Sequence, residues 1–508
     1  MDKNLLTAVA LSILVYALWF GVIDKHASPK FQPQLQTAAA PGVPVHAAVA
    51  SAVPGRPASE SVVDRKALEA ESDAVTFGKA DALIDPRGAA IVGCRYHEPL
   101  GTVELVINPQ PGFLATFPEL SFRRDKSRED ALVYRAKRGD GLEILKEFLP
   151  EGSASLPRLR ITLSNPGRRA LDIGGWTLSL GPGLGTIPSE VKDNSKVWSA
   201  LGLLFGEGGL QGKIERFKPG EHAGPYRWLG VDNRYFLAAV LPAPQDLSGI
   251  TSALPPEVTL TFKGATLEPG KERAWEIPYY IGAKGHTWLS RYGAGLERSI
   301  DFGFFAQLGR LVLKALNVLN NRINNWGWSI ILLTCMIQVC LFPLTYKSLK
   351  SAAAMRKLQP QIAKLQQKYA KEPSRLNAEM MELYKKGGAN PLGGCLPMLL
   401  QLPVFYALYN ALRNAWELHG AGWIFWIKDL SAKDPYYILP VVMGGLMFAQ
   451  NRLNPAPADP TQAQMMNFMP VIFTFMFLNF PAGLVLYWLT NSLMNAVFQL
   501  SLRDHFNS

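Results

Sequence analysis

The side chains of this 508-residue chain best placed for chemistry are amides set in apolar surroundings. Trp488, Asn491, Asn495 and Gln499 recur at spacings of three, four and four, which puts them on one face of a helix. They lie within the apolar run Ala482–Leu502, and the stripe begins about 10 Å from Pro481 at about 1.5 Å per residue. Gln401 stands near the middle of another apolar run, Leu392–Leu412. Polar groups in hydrocarbon are costly, so such a row marks a use. Two uses suit it: hydrogen bonds between neighbouring helices, or a wet groove open to one side. Covalent chemistry has no comparable signal. The chain contains no GxxxxGKS/T loop, no GxSxG and no HExxH. His97, His222 and His286 are the candidates for a sugar-processing site in the central region, and isolated surface histidines are the commoner case. Four cysteines without a CxxC pair give no zinc pattern, so no metal or cofactor is called for, and the protein reads as a non-enzyme.

The elements that must carry these residues divide the chain sharply. Hydrophobic residues make up 48% and charged residues 18%, below the quarter usual for soluble domains. Residues 24–300 hold 33 Lys+Arg against 31 Asp+Glu, while the remainder holds 19 against 10. The basic excess therefore sits among apolar runs, which favours a membrane over a specific nucleic-acid sequence as its partner. Residues 1–25 contain a 19-residue apolar run, Leu5–Ile23, read as an uncleaved anchor in preference to a signal peptide. Residues 26–61 are rich in Ala and Pro and read as a flexible tether. Residues 62–300 show short strand-like segments such as Thr102–Ile107, Leu159–Leu163, Trp176–Leu180, Val258–Phe262 and Ala274–Ile281 between Pro-Gly turns. That pattern argues an all-β sandwich domain. Residues 301–325 predict an amphipathic helix suited to a membrane surface.

Residues 326–508 then supply five spans: Trp326–Tyr346, Leu392–Leu412, Tyr436–Ala449, Met466–Phe480 and Ala482–Leu502. Between the first two, residues 350–388 predict a charged helical hairpin, Ser351–Ala370 and Ser374–Lys386, with Ser374 as N-cap. Segment 347–390 carries ten Lys+Arg against three Glu, and 413–435 carries three of each sign. The positive-inside rule then gives six spans, both termini cytoplasmic and the β domain outside. All twelve methionines after Met1 fall at Met336 or later, where they offer adaptable apolar surface or simple core filling.

Several blocks in the second half resemble the YidC family of membrane-protein insertases. They are Asn325-Trp-Gly-Trp-Ser-Ile-Ile through Phe342-Pro-Leu-Thr, Met355-Arg-Lys-Leu-Gln-Pro360 and Asn390-Pro-Leu-Gly-Gly-Cys-Leu-Pro, followed by Asp434-Pro-Tyr-Tyr-Ile-Leu-Pro440, Phe468-Met-Pro-Val-Ile-Phe and Phe480-Pro-Ala-Gly-Leu-Val-Leu-Tyr487. They occur in family order over about 301–505. The resemblance implies a polytopic α-helical bundle with a periplasmic β-supersandwich of the Gram-negative type, in the bacterial inner membrane. It implies an insertase and folding chaperone acting alone or with the Sec translocon on nascent membrane proteins received from the ribosome. A hydrophilic groove open to the cytoplasm is expected, lined by Arg356, Gln401, Trp488, Asn491, Asn495 and Gln499. The resemblance puts Arg356 at its cationic centre, whereas the residues alone favour an arginine snorkelling at the interface, since 30 residues of helix from Trp326 would span about 45 Å. After Leu502 only six residues remain, so the hairpin, through Lys364, Lys368, Lys371 and Arg375, is the expected contact with clients or the ribosome. The alternative function is a transporter or channel with a periplasmic substrate-binding domain, which would call for inverted repeats and ionisable pairs within the spans.

Overall fold

The computed structural model of the protein describes residues 69, 72–77, 79–126, 131–152, 155–206, 212–369, 372–387, 396–453 and 460–507. The expected anchor and tether lie outside the described residues. The chain forms two compact units that divide between Ser299 and Ile300.

The first unit carries nineteen described strands between Asp73 and Ala283 and two short helices, α1 (Val191–Val197) and α2 (His286–Leu289). Its largest sheet is antiparallel and nine-stranded. In spatial order the strands are Ile214–Arg216, Ser199–Leu204, Tyr226–Asp232, Phe236–Val240, Glu272–Ala283, Arg158–Ser164, Glu143–Leu149, Leu132–Lys137 and Arg123–Asp125. A four-stranded sheet contains Trp176–Leu180, Glu257–Phe262, Leu247–Ala253 and Gly220–His222. Alternation decides which faces meet. Leu159, Ile161 and Leu163 are fully buried from one sheet, and Val258, Leu260 and Phe262 from the other. Trp176 stacks on its register partner Phe262 at 4.0 Å and meets Trp275 of the nine-stranded sheet edge-on at 5.3 Å. The two inner faces therefore touch, as a sandwich requires. The strand expected over Ala274–Ile281 extends to Glu272–Ala283, because ladder pairs Glu272–Ser164 and Phe236–Ala283 continue past the alternating residues. The strand expected over Thr102–Ile107 is shorter, Gly101–Glu104.

Lys146 is fully buried, and its Nζ donates to the carbonyls of Gly88 at 2.9 Å and Leu114 at 2.6 Å. These contacts tie the nine-stranded sheet to two backbone segments that contain left-handed residues, Ala89 at φ 43° and Leu114 at φ 57°. Burial holds the Lys146 amine well below its ordinary pKa.

The second unit is helical. It contains α3 (Ala306–Ile323), α4 (Trp326–Lys368), α5 (Pro373–Lys386), α6 (Leu396–Asn414), α7 (Ile438–Leu453), α8 (Pro460–Phe477) and α9 (Ala482–Asn507). The expected amphipathic helix is α3, which buries Val312, Leu313 and Leu316 against α4 and α6 while Leu311 and Val318 stay exposed. Among the described residues α4 is the one helix long and apolar enough to cross a membrane by length and composition. Gln464–Phe477 is a shorter apolar stretch. The first expected span and the first arm of the hairpin prove to be one 43-residue helix that runs through Pro343 and Pro360. A charge-free run followed by a basic run looked like two elements, but helix geometry does not require the change of polarity to break it. The second arm begins one residue earlier than expected. Glu372 is its N-cap and Pro373 its first residue, as proline's fixed φ and missing N–H favour.

Replacing Lys146 by Met keeps the volume but leaves the buried Leu114 carbonyl without its donor and the Gly88 carbonyl with only the long bond from Thr116 N at 3.4 Å, at a cost of about 1–3 kcal/mol. The native amine has a depressed pKa and the unfolded one an ordinary pKa, so the unfolded state binds more protons between the two values. This group's contribution to stability therefore rises with pH across that window, and Lys146→Met should flatten the rise. Denaturant unfolding of both proteins in detergent at two alkaline pH values checks the sign. An unchanged pH dependence in the variant would contradict it.

Candidate functional site

The helical unit is joined at one level by amides. On α4, Gln338 is 3% exposed and its Nε2 donates to Oδ1 of Asn491 on α9, which is 7% exposed. One residue further along α9, the Ser492 carbonyl accepts from Nε2 of Gln450 on α7 at 2.6 Å. Gln401 on α6 donates to the Tyr487 hydroxyl of α9. Gln338 lies about 18 Å from Trp326, Gln450 about 18 Å from Ile438 and Asn491 about 15 Å from Pro481, at about 1.5 Å per residue. A hydrocarbon core is about 30 Å thick, so the layer falls near the middle of any bilayer these helices cross.

The apolar contacts around the layer explain why these side chains meet. Ile330 and Leu333 of α4 share one buried cluster with Val485, Leu486 and Tyr487 of α9, Met443 of α7 and Leu408 of α6. Once those surfaces pack, an inward amide must bond across the interface or stay unpaired. Hydroxyls on the same helices are satisfied within their own helix: Thr334 donates to the Ile330 carbonyl at 2.7 Å and Thr490 to Leu486 at 2.8 Å.

Beyond the layer, at the N-terminal ends of α4 and α9, residues 415–437 form a cap. The Ala432 carbonyl accepts from Ala482 N at 2.7 Å and Leu430 from Gly483 N at 2.9 Å, which ties the cap to the start of α9. Asn325 Nδ2 donates to the Trp423 carbonyl at 3.1 Å, tying it to the start of α4. Gly327 is required there, because a Cβ would lie 2.1 Å from the Trp423 ring. Asp434 is 1% exposed and its carboxylate accepts from Trp426 Nε1 at 3.0 Å, Tyr436 N at 3.0 Å and Leu439 N at 2.7 Å. A carboxylate that caps the start of α7 and holds a loop indole fixes the cap to a third helix.

Of the expected groove residues, Asn491 and Gln401 belong to the amide layer. Trp488 lies on the same helix face but packs among Phe405, Phe473 and Phe477, with ring centroids 5.1–5.6 Å apart. Asn495 and Gln499 follow on α9, both half-buried. Arg356 is half-buried on α4, 18 residues or about 27 Å beyond Gln338 and beside the hairpin core of Leu358, Ile362 and Tyr384. In the hairpin Lys364, Lys368 and Arg375 are exposed, and Lys371 lies outside the described residues. Lys368 and Arg375 both stand over the Tyr369 ring, at 5.0 and 5.3 Å, and Arg375 pairs with Glu372 at 3.5 Å. Glu382 is held below the usual carboxylate range by its bond to Lys386. Sequence reasoning missed Gln338, Gln450, Tyr487 and the Asp434 hub. Gln338 carried a readable signal, as the one amide within Trp326–Tyr346.

Comparison with known proteins adds the decisive observation. Residues 318–508 match the family described as 60Kd inner membrane protein, and residues 211–315 match the YidC periplasmic domain. The membrane protein insertase YidC of Endomicrobium trichonymphae is 35% identical over 513 residues, covering 98% of this chain and 97% of that relative. The chain belongs to the YidC family of membrane protein insertases. The YidC of Geobacter sulfurreducens is 44% identical over 282 residues, 55% of this chain and 53% of that relative. A crystal structure titled as an active YidC insertase with its first transmembrane domain resolved aligns with 84% of this chain and 92% of its own, at 18% identity and a TM-score of 0.41. This YidC-family chain is thus a membrane protein with a periplasmic domain, its function is membrane protein insertion and its substrates are membrane proteins. The YidC family is not an enzyme family in the usual sense.

The Gln338–Asn491 bond gives a stability prediction. Gln338→Leu or Asn491→Leu should each cost about 0.5–2 kcal/mol, and the double variant should show a coupling of about 0.6–1.7 kcal/mol. Unfolding in mixed micelles measures the cycle; strictly additive single costs would show that the pair is not energetically real.

Proposed function

We propose that the helices of 326–508, with the anchor over 1–25, form six spans of the bacterial inner membrane, with both termini cytoplasmic and the β-supersandwich of 62–300 in the periplasm. The protein lowers the barrier for moving a hydrophilic client segment across the bilayer, makes no covalent bond, and helps the client fold. The amide layer, about 15–18 Å along α4, α7 and α9 from their N-terminal ends, is the observation that carries this reading. In six spans it would lie where polar side chains cost most, and the residues 415–437 cap one end of the bundle while α4 continues past the other.

On this reading the client's polar segment enters a hydrophilic groove from the cytoplasm and exchanges hydrogen bonds with Gln401, Asn491, Asn495 and Gln499. Trp488 borders the apolar side. Arg356 works at the mouth, drawing acidic client segments in before they reach the amides. Helices α7 and α8 span about 24 Å and 27 Å at about 1.5 Å per residue, less than the core thickness, and so thin the bilayer beside the path. The hairpin receives clients from the ribosome through Lys364, Lys368, Lys371 and Arg375, and the bundle cooperates with the Sec translocon for larger clients.

Two experiments test this. Purified protein in sealed liposomes, without nucleotide or Sec components, should protect the translocated tail of a short single-span client from protease; protection no greater than in empty liposomes would reject an autonomous insertase. Separately, deleting 27–290 should impair insertion less than deleting 351–388. The reverse order would overturn this division of labour.

A further inference from the structure

The amide layer has a property that the insertase reading does not supply. The stretches 326–346, 396–412, 438–451, 464–480 and 482–502 contain no Asp, Glu, Lys, Arg or His at all. Cations begin only at their edges, with Lys347, Arg413, Arg452 and Arg503. The polar content of the interior is therefore amide and hydroxyl: Gln338 with Asn491, Gln401 with Tyr487, and Gln450 with the Ser492 carbonyl. Arg356 is about 27 Å along α4 from this layer.

We infer that the path across this protein is electrically neutral and selects a client's crossing segment by its hydrogen-bonding capacity, not by the sign of its charge, with Gln338 and Asn491 setting that specificity. This rests on the insertase reading above and deepens it. A primary amide offers two donors and a carbonyl acceptor. It can bond a peptide group, a carboxylate or an ammonium, and the Gln338–Asn491 pair can open to serve any of these and close on itself afterwards. A fixed charge at the same depth would act differently: in low dielectric it attracts one sign and repels the other, discriminating by powers of ten. Whatever preference for acidic segments Arg356 supplies at the mouth is then a recruitment step, separable from passage.

The test uses the full chain in sealed zwitterionic liposomes. Three single-span clients differ only in whether the short translocated tail carries two aspartates, two asparagines or two lysines, and protease protection is scored. In Arg356→Ala, with the cation assigned to recruitment at the mouth removed, the three yields should agree within about threefold. Gln338→Arg should then raise the acidic-to-basic ratio by about tenfold or more, and Gln338→Glu should lower it as far, as a buried charge dictates. Asn495→Lys and Asn495→Asp, at a half-buried position, provide the same comparison should the Gln338 variants fail to fold. A preference for one sign of about tenfold or more that survives Arg356→Ala would overturn the inference while leaving the insertase reading intact. Charge variants that change all three yields alike would also overturn it. Failure of the wild-type protein to protect any of the three clients would overturn both.

Discussion

An amide side chain enclosed by apolar helices must find a partner within hydrogen-bond reach, and the helical unit depends on that constraint. Leaving one such group unpaired costs about 1–3 kcal/mol by mutational data from proteins, a sizeable fraction of what holds a domain folded. Apolar packing alone leaves register between helices loosely set, since one methylene surface slides on another. The pairing of Gln338 with Asn491 and of Gln450 with the Ser492 carbonyl specifies one register of α4, α7 and α9. The cap then fixes the same three helices at one end, through Trp423, Leu430, Ala432 and Asp434. Two anchor levels define three helices more tightly than either would alone.

The same bonds that specify the bundle are the ones a client would borrow. A hydrogen bond within a membrane protein is worth only about 0.6 kcal/mol on average, because the alternatives also find partners. Such bonds suffice to choose a register and are weak enough to exchange during passage. A buried ion pair in their place would hold more tightly and resist opening. The β unit makes the opposite choice. Lys146 is sealed beneath two carbonyls, and Lys284 is paired with buried Asp232 at 2.9 Å, arrangements that fix structure and do not open to a ligand.

Much of this organisation was legible in the sequence, because periodicity and charge segregation are one-dimensional signals. The β unit announced itself through alternating runs such as Glu257–Phe262, and α3 through its amphipathic spacing. The row Asn491, Asn495 and Gln499 was visible as a helix face. What could not be read was partnership. Nothing local says that Gln338 meets Asn491, 153 residues away, or that Asp434 would be a buried hub and not an exposed loop acid. The continuity of α4 was hidden for a related reason. Hydropathy reports the surroundings of a helix, and its surroundings change near Tyr346 while the backbone does not. Arg356 shows the limit of a motif: the resemblance gave it a role, while distance along the helix separates it from the amide layer.

On the proposed path, a client's polar segment passes along the amide face of α9 and not along the outer apolar surface of the bundle. A photoreactive residue at Asn495, compared with one at the exposed Phe475 of α8, tests this directly with a client stalled part-way through insertion. The client's polar tail should crosslink at position 495 and not at 475. Crosslinks from that tail at 475 alone would place the path on the outer apolar surface and contradict it.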